Sequence, residues 1–428
     1  MKYSIPFGKK MIDVDLTGHN VIFCAEMMHP PIPEDVHVLI DEALNAPYGT
    51  PRLSQMVKPN SKIMVLCDDI TRPTPKRLLL SHVVKAFEKA GVPDENILVC
   101  IAPGTHRPMT DQELLDNFGD ELLSRFRFMN INYKETEKLI NIGRSPSGID
   151  IEVYKEALNA DFILGIGNIV PHVSAGWGGG AKIVQPGICG EITTQQTHVI
   201  AALEQNVFET CGNPDNQCRR EMELIAGQVG LKFIVNTVMD ESGHVLGVFC
   251  GDFIKAHRAG VAFAKTVLCP KIPARADIVI ASANPCEIDF WQGDKPFVFA
   301  QYGLKDNGTL IFVMAAQEGL CGNAPEHEAV LRKYCTLTEQ DVRRDVERGV
   351  IEDLIGIDAP IHLDQSRKRG IKTILVSEGM DQNDAADLGF EWSPSLDAAM
   401  NTAFARHGSA ASVGIIPYCG ETLVQCEG

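Results

Sequence analysis

Nowhere in the 428 residues does an apolar run approach the roughly 18 residues that a membrane-spanning helix requires. The opening Met1-Lys-Tyr-Ser-Ile-Pro-Phe lacks the charged and apolar regions of an export signal. The expectation is a cytoplasmic protein with no membrane partner. Positive charge is also scarce, with 39 Lys and Arg against 56 Asp and Glu, a formal net charge of −17. Nucleic acid is therefore not an expected partner, because phosphate-backbone binding needs a basic face, whereas a small anion needs only a local cluster of Arg and Lys. The 13 cysteines include no Cys-x-x-Cys pair. Their odd number argues for reduced thiols rather than a disulfide framework, and their spacing gives no support to a structural zinc or iron–sulfur site. No internal repeat or low-complexity segment is found.

What is present is the composition of a globular protein, 45% hydrophobic and 22% charged, in a chain too long for one ordinary core. Short apolar runs at Lys62 to Leu66, Ile97 to Ile101, Phe128 to Tyr133, Asp161 to Ile166 and Lys232 to Met239 read as strands. Helical patterns lie between several of them: Asp35 to Leu44, Pro75 to Ala90 with Gly91 at its end, and a helix opened by the capping box Thr110-Asp-Gln-Glu113. After a break at Cys269-Pro270-Lys-Ile-Pro273, a second series of strands begins with Asp277 to Ala281, Thr309 to Met314, Thr373 to Val376 and Val413 to Ile416. This alternation predicts an α/β chain of two domains, 1–270 and 271–428. Each should carry a mainly parallel sheet flanked by helices, with the active site in the cleft between them and the second domain closing over the substrate.

Three strand-to-loop junctions of the first series end in polar clusters. They are Asp68-Asp69-Ile-Thr71-Arg72-Pro73, Gly104-Thr105-His106-Arg107, and the loop running from His172 through Gly176-Trp177-Gly178-Gly179-Gly180 to Lys182. In a parallel sheet such ends lie on one edge and converge. The glycines permit positive φ and close approach of backbone to a bulky ligand. The loop matches neither the P-loop pattern, since Ala181 precedes Lys182 and Ile183 follows it, nor the dinucleotide fingerprint. Arg72 reads either as half of a surface ion pair with its acidic neighbours or as a fixed fork for a carboxylate. His106 and His172 read either as loop histidines or as two bases, one for each enantiomer of a racemase substrate. His198 follows Gly190 in an expected helix and could ligate a metal through an imidazole nitrogen. Gln292 and Lys295 share a face if their segment is helical, offering a donor and a positive charge, or else form a solvated face above Trp291.

Taken together, Asp69-x-x-Arg72, Gly104-Thr-His106-Arg107, Pro171-His172, Gly176-x-x-Gly179-Gly180-x-Lys182, His198 and Gln292-x-x-Lys295 resemble the lactate racemase family that uses a nickel-pincer nucleotide. The resemblance implies nickel plus a pyridinium dithiocarboxylate mononucleotide, supplied by cofactor-synthesis proteins and tethered to Lys182 as a thioamide, with His198 as the protein ligand to nickel. It implies that Asp69, Thr71, Gly176, Trp177, Gly179 and Gly180 lie at the cofactor. Arg72, Gln292 and Lys295 would hold a 2-hydroxy acid while a hydride moves from C2 to the pincer and back, and His106 and His172 would exchange the hydroxyl proton. The chain departs from the lactate-specific pattern at two positions, Trp291 in place of an expected tyrosine and Trp177 in place of a phenylalanine. The expected substrate is thus a small anionic 2-hydroxy acid, with lactate one candidate. Two other readings stand beside this one. The first is a non-catalytic nucleotide- or nickel-binding protein of the same fold. The second is a zinc hydrolase using His106, His172 and His198, which lacks the His-x-x-x-His spacing usual for such sites.

Overall fold

Strands whose residues are buried on both faces read as unbroken apolar runs, and two of them, Ile63–Cys67 and Phe162–Asn168, form the middle of a six-stranded sheet. The computed structural model describes residues 1–203 and 206–427. Across the first sheet the order is Val245–Gly251, Leu231–Met239, Phe162–Asn168, Ile63–Cys67, Ile97–Ile101 and Arg127–Asn130. All neighbours are parallel except the edge pair Leu231–Met239 and Val245–Gly251, which is antiparallel. The expected helices cover this sheet. Val36–Asn45 is capped by Asp35, which accepts from the backbone of His37 and Val38; Lys76–Lys89 follows Pro75; and Asp111–Arg125 opens with the Thr110–Glu113 capping box.

The second sheet is parallel throughout, in the order Glu391–Trp392, Lys372–Ser377, Leu304–Met314, Ala276–Ser282, Ser412–Ile416 and Asn20–Cys24. Its last strand corrects the expected division at residue 270. Asn20–Cys24 pairs with Ser412–Ile416, and the hairpin Lys2–Phe7 with Lys10–Asp15 packs Ile5, Phe7 and Val14 against Ile278, Ile280 and Ile311. The first 24 residues thus belong with the second sheet although they precede the first.

One hydrophobic cluster joins the two halves: Ile169, Val173 and Trp177, next to the glycine-rich loop, pack with Ala281, Phe290 and Phe297 of the second series. That shared core sets the carboxyl ends of the central strands of the first sheet beside the helix Phe290–Ala300. No helix is long and apolar enough to cross a membrane among the described residues.

Candidate active site

Phe162–Asn168, Ile63–Cys67 and Ile97–Ile101 are adjacent in the sheet, so the three polar loops that follow them lie side by side. In the first loop Asp69 accepts from the backbone N–H of Thr71 at 3.1 Å and from its hydroxyl at 2.6 Å through Oδ1. Its Oδ2 meets Nδ1 of His106 at 2.7 Å. Burial opposes ionisation of Asp69, but His106, Arg72 and the Thr71 hydroxyl outweigh it and hold the carboxyl below its ordinary range. A carboxylate only accepts, so Nδ1 of His106 carries the proton.

The opposite nitrogen, Nε2 of His106, lies 2.8 Å from Nε2 of Gln292 on the helix Phe290–Ala300, and Lys295 donates to Oε1 of the same amide. The ammonium of Lys295 fixes the amide with its oxygen toward lysine and its NH2 toward histidine. Donors therefore run in one direction from Lys295 through Gln292 and His106 to Asp69, and the lone pair of His106 is at Nε2. Burial lowers the pKa of His106 despite the opposing charge of Asp69, favouring the neutral ring. His172 has the reverse arrangement. Its Nδ1 accepts from the backbone N–H groups of Ser174 at 3.2 Å and Ala175 at 3.3 Å, which leaves the proton on Nε2. Burial, followed by Lys182 and Lys295, depresses its pKa well below the ordinary value.

Lys182 stands in the short turn Gly180–Ile183, and its pKa is pushed far down by burial and by the cations Arg72, Lys295 and Arg219. A neutral lysine amine is a nucleophile. The same two influences, burial and then Arg72, bring Lys295 down to about 8. The guanidinium of Arg72 bonds only to the carbonyl and hydroxyl of Thr71, and the ammonium of Lys295 only to Gln292, among the described residues. His198, in the helix Glu191–Leu203, donates from Nδ1 to the carbonyl of Thr194 at 2.9 Å and keeps Nε2 open, 3.9 Å from Oδ2 of Asp358.

Two adjoining cavities, the first slightly larger than the second, share Arg72, Pro103, His106, Lys182 and Pro186 as walls. The larger is completed by His172, His198, Gln292 and Lys295, the smaller by Asp69, Thr71, Gly179 and Asn236. Lys182 thus stands where a molecule filling the smaller cavity would reach the larger one.

Three expected cofactor contacts, Gly176, Trp177 and Gly180, line neither cavity, whereas Gly179 lines the smaller. Gly176, Gly179 and Gly180 do adopt positive φ, at 71°, 71° and 60°. At Gly176, however, an added Cβ would fall 1.9 Å from the carbonyl oxygen of Asn213, and at Gly180 2.9 Å from the ring of His257, so what approaches these glycines is the protein itself. Trp177 is fully buried in the core with its indole N–H on the carbonyl of Gly212 at 2.7 Å.

Sequence reasoning missed the groups that hold this loop. Arg219, fully buried on the helix Gln217–Val229, donates to the carbonyls of Ala175 and Gly179, both at 3.1 Å, and to that of Trp177. His257 meets the carbonyl of Gly178 at 2.9 Å, and Asn236 accepts from the N–H of Gly180 at 2.8 Å. No spacing or motif in the chain links these positions to the loop. Replacing Arg219 with Met leaves three loop carbonyls without their donor, and the expected loss of stability is about 3 kcal/mol. A urea midpoint unchanged from the parent would contradict this account of the loop.

No group of three or more His, Cys, Asp or Glu is gathered as a metal-ligand set among the described residues, so His106, His172 and His198 do not form the ligand cluster that a zinc hydrolase needs.

Residues 7–210 match the lactate racemase N-terminal domain family, a span that carries Asp69, Arg72, His106, His172, Lys182 and His198. A lactate racemase of Lactiplantibacillus plantarum is 27% identical over 423 residues, covering 96% of this chain and 97% of that protein. One of Thermoanaerobacterium thermosaccharolyticum is 29% identical over 319 residues, 74% of each. The structure of a lactate racemase apoprotein from Thermoanaerobacterium thermosaccharolyticum superimposes with a TM-score of 0.86 at 25% identity, over 99% of this chain and 100% of that one. A Thermotoga maritima protein shares the fold, with a TM-score of 0.72 at 18% identity over 93% of this chain and 100% of that one. The order of the site residues along the sequence, their convergence on one pair of cavities and these likenesses agree: residues 7–210 match a lactate racemase N-terminal domain, and the chain over nearly its whole length is similar to lactate racemases, which are isomerases.

Proposed function

We propose that the chain is a racemase or epimerase that inverts C2 of a 2-hydroxy acid, working with a nickel-pincer nucleotide tethered to Lys182. The observation that carries this reading is a single cavity holding two histidines with opposite nitrogens protonated, beside two cations, Arg72 and Lys295, that have no carboxylate partner among the described residues. A substrate carboxylate supplies the missing counter-charge, with the guanidinium of Arg72 as its fork. Its C2 hydroxyl then lies between the histidines.

The residues present fit the cofactor. Lys182 offers a neutral amine able to form an amide-type bond with an acyl or thioacyl arm. His198 has the arrangement usual for a metal-binding imidazole, one nitrogen anchored on a backbone carbonyl and the other bare, which suits nickel. When bound, the pincer nucleotide would accept a hydride from C2 and return it. Everything else is the work of the chain. His106, neutral and held by Asp69, takes the hydroxyl proton at Nε2 once Gln292 turns its amide toward the substrate. Gln292 and Lys295 hold the oxygen as it becomes a carbonyl. His172 presents Nε2–H in this conformation and can hold the oxygen by a hydrogen bond; to deliver that proton its Nδ1 must first leave the amides of Ser174 and Ala175 and take up a proton from solvent, so that the ring passes from imidazolium to neutral imidazole. To serve as the base in the other direction its ring must leave the amides of Ser174 and Ala175.

The test is a panel of enantiopure 2-hydroxy acids with nickel- and cofactor-loaded protein, read by loss of optical rotation. Turnover of at least one member is expected. Retention of the cofactor with no turnover of any member would overturn the proposal in favour of a non-catalytic nucleotide- and nickel-binding protein.

A dependence on pH follows from Lys295. Its folded-state pKa of about 8 lies below the ordinary lysine value, so the ammonium is charged below pH 8 and loses its proton above it. That charge serves both the substrate carboxylate and the oxygen that becomes a carbonyl, so kcat/KM should fall as pH rises through about 8. In Lys295→Arg this descending limb should disappear below pH 10. A descending limb unchanged in that variant would assign it to another group.

A further inference from the structure

A fully buried carboxylate three residues before Gln292 has no part in the mechanism above. Asp289 precedes the helix Phe290–Ala300 and has no exposed surface. Its Oδ1 accepts from the backbone N–H of Gln292 and its Oδ2 from that of Asn323, both at 2.9 Å. Among the described residues no other donor, and so no cation, is bonded to this carboxylate. The start of the helix is complete with it. Phe290 donates to the carbonyl of Gly319, Trp291 to that of Leu320 and Gly293 to that of Asp289, so all four N–H groups of the first turn are paired.

Asn323 carries the connection onward. Its carbonyl accepts from the backbone N–H of Arg107 at 3.1 Å, and Arg107 directly follows His106. Gln292 in turn meets Nε2 of His106 at 2.8 Å. The contacts therefore close on themselves, from His106 through Arg107, Asn323, Asp289 and Gln292 back to the imidazole of His106, and they bridge the two halves of the chain. A helix cap alone needs one acceptor, which Asn or Ser supplies as well as Asp does. Burying a carboxylate without a cation is costly, and a neutral cap would avoid that cost. What the carboxylate adds is a second acceptor on the same short side chain, where an amide would turn its NH2 against the N–H of Asn323.

We propose that Asp289 is a positioning residue: with both oxygens engaged, it fixes the backbone of Gln292 where its amide reaches Nε2 of His106 and turns from there to the substrate oxygen. The consequence for turnover rests on the reading of the site as a 2-hydroxy acid racemase or epimerase, whereas the consequence for His106 does not. A proton on either oxygen weakens one of the two N–H contacts and opens the ring of contacts. Burial raises the Asp289 carboxyl to about 6, against the pull of the two N–H groups and of Lys295, so the carboxylate is charged above that pH and protonated below it. The charged and titratable groups that face it are Lys295 on its own helix, and Glu318 and Cys321 on the segment that carries Asn323. Its charge acts in return on Lys295, favouring the ammonium.

The experiment has two arms. In the first, protein without cofactor, labelled with nitrogen-15 in its histidines, is titrated downward through pH 6, and the Nε2 resonance of His106, assigned by its absence from His106→Asn, is followed by NMR. Loss of a donor moves an acceptor nitrogen downfield, whereas protonation of the ring moves it upfield. A downfield step is expected as pH falls through about 6, and Asp289→Asn should begin at the downfield position and show no step. A wild-type resonance that stays in place or moves only upfield would overturn the proposal, even if the variant fails to fold and whatever reaction the protein catalyses. In the second arm, cofactor-loaded Asp289→Asn should lose about tenfold or more in kcat/KM on an accepted 2-hydroxy acid, mainly in kcat. Its descending limb, set by Lys295, should move below about 8, because the neighbouring negative charge is gone. A residue that merely stabilised the helix would leave that limb in place, and an unchanged limb with unchanged kcat would overturn the proposal. No inversion of any acid by wild-type protein shown by mass to carry the cofactor would overturn the racemase reading, and the NMR arm would still decide the role of Asp289 at His106.

Discussion

Lys182→Ala should lose every trace of a nucleotide-mass adduct and turn over no 2-hydroxy acid, a fall in kcat/KM on the order of 10⁴ or more. The expectation follows from the position and protonation of the amine. Lys182 stands on the wall shared by the two cavities, and burial with three neighbouring cations pushes its pKa far down, toward the neutral amine. Lys182→Arg separates charge from nucleophilicity. A guanidinium preserves the positive group but cannot acylate under these conditions, so it should match Ala rather than the parent. The check is intact-protein mass spectrometry with nickel analysis, on proteins expressed alongside the cofactor-synthesis enzymes. An adduct that persists in either variant would move the tether elsewhere.

The second large effect concerns the histidines. His106→Asn and His172→Asn should each lower steady-state inversion by about 10³-fold in both directions, because removal of the hydroxyl proton from one enantiomer and its return to the other need both rings. Single turnovers should separate them. With His106 gone, only the enantiomer served by His172 can be oxidised to its 2-keto acid, and with His172 gone only the other. The two rings also begin from unequal positions. Neutral His106 offers a lone pair at Nε2 as the structure stands, whereas His172 has its lone pair bound to two backbone N–H groups. The enantiomer served by His106 should therefore show the faster first turnover. Equal single-turnover rates, or loss of both half-reactions in one variant, would contradict the assignment. The measurement is rapid-quench analysis of keto acid formed from each pure enantiomer.

Much of this site was legible in the sequence because strands buried on both faces are unbroken apolar runs, and the residues that end them are conspicuous. Asp69, Arg72, His106, His172 and Lys182 follow three such runs, and the parallel order of Phe162–Asn168, Ile63–Cys67 and Ile97–Ile101 brings them together as the alternation of strands and helices implied. Gln292 and Lys295 are on a helix, the condition under which their spacing puts them on one face. The glycines were harder to interpret. A missing Cβ admits whatever lies nearest, and sequence does not distinguish a ligand from the carbonyl of Asn213 or the ring of His257. Trp177 was misplaced for a related reason: beside a functional loop an aromatic ring fits a ligand wall or a core equally well, and here it completes the core joining the two halves. Arg219 and Asn236 were invisible because their roles depend on partners far away in the chain and on no local pattern. The strand Asn20–Cys24 was missed as part of the second sheet because its pairing partner lies near the opposite end of the chain, at Ser412–Ile416.

The most direct test of the central claim is the fate of the hydrogen on C2. A single enantiomer of an accepted 2-hydroxy acid, labelled with deuterium at C2, would be incubated with cofactor-loaded protein in ordinary water, and the inverted product isolated by chiral chromatography and weighed. Hydride transfer out and back predicts inversion with the deuterium still on C2. Inversion with the label replaced by solvent hydrogen would mean that C2 loses a proton instead, and the mechanism built on Lys182, His106 and His172 would be contradicted.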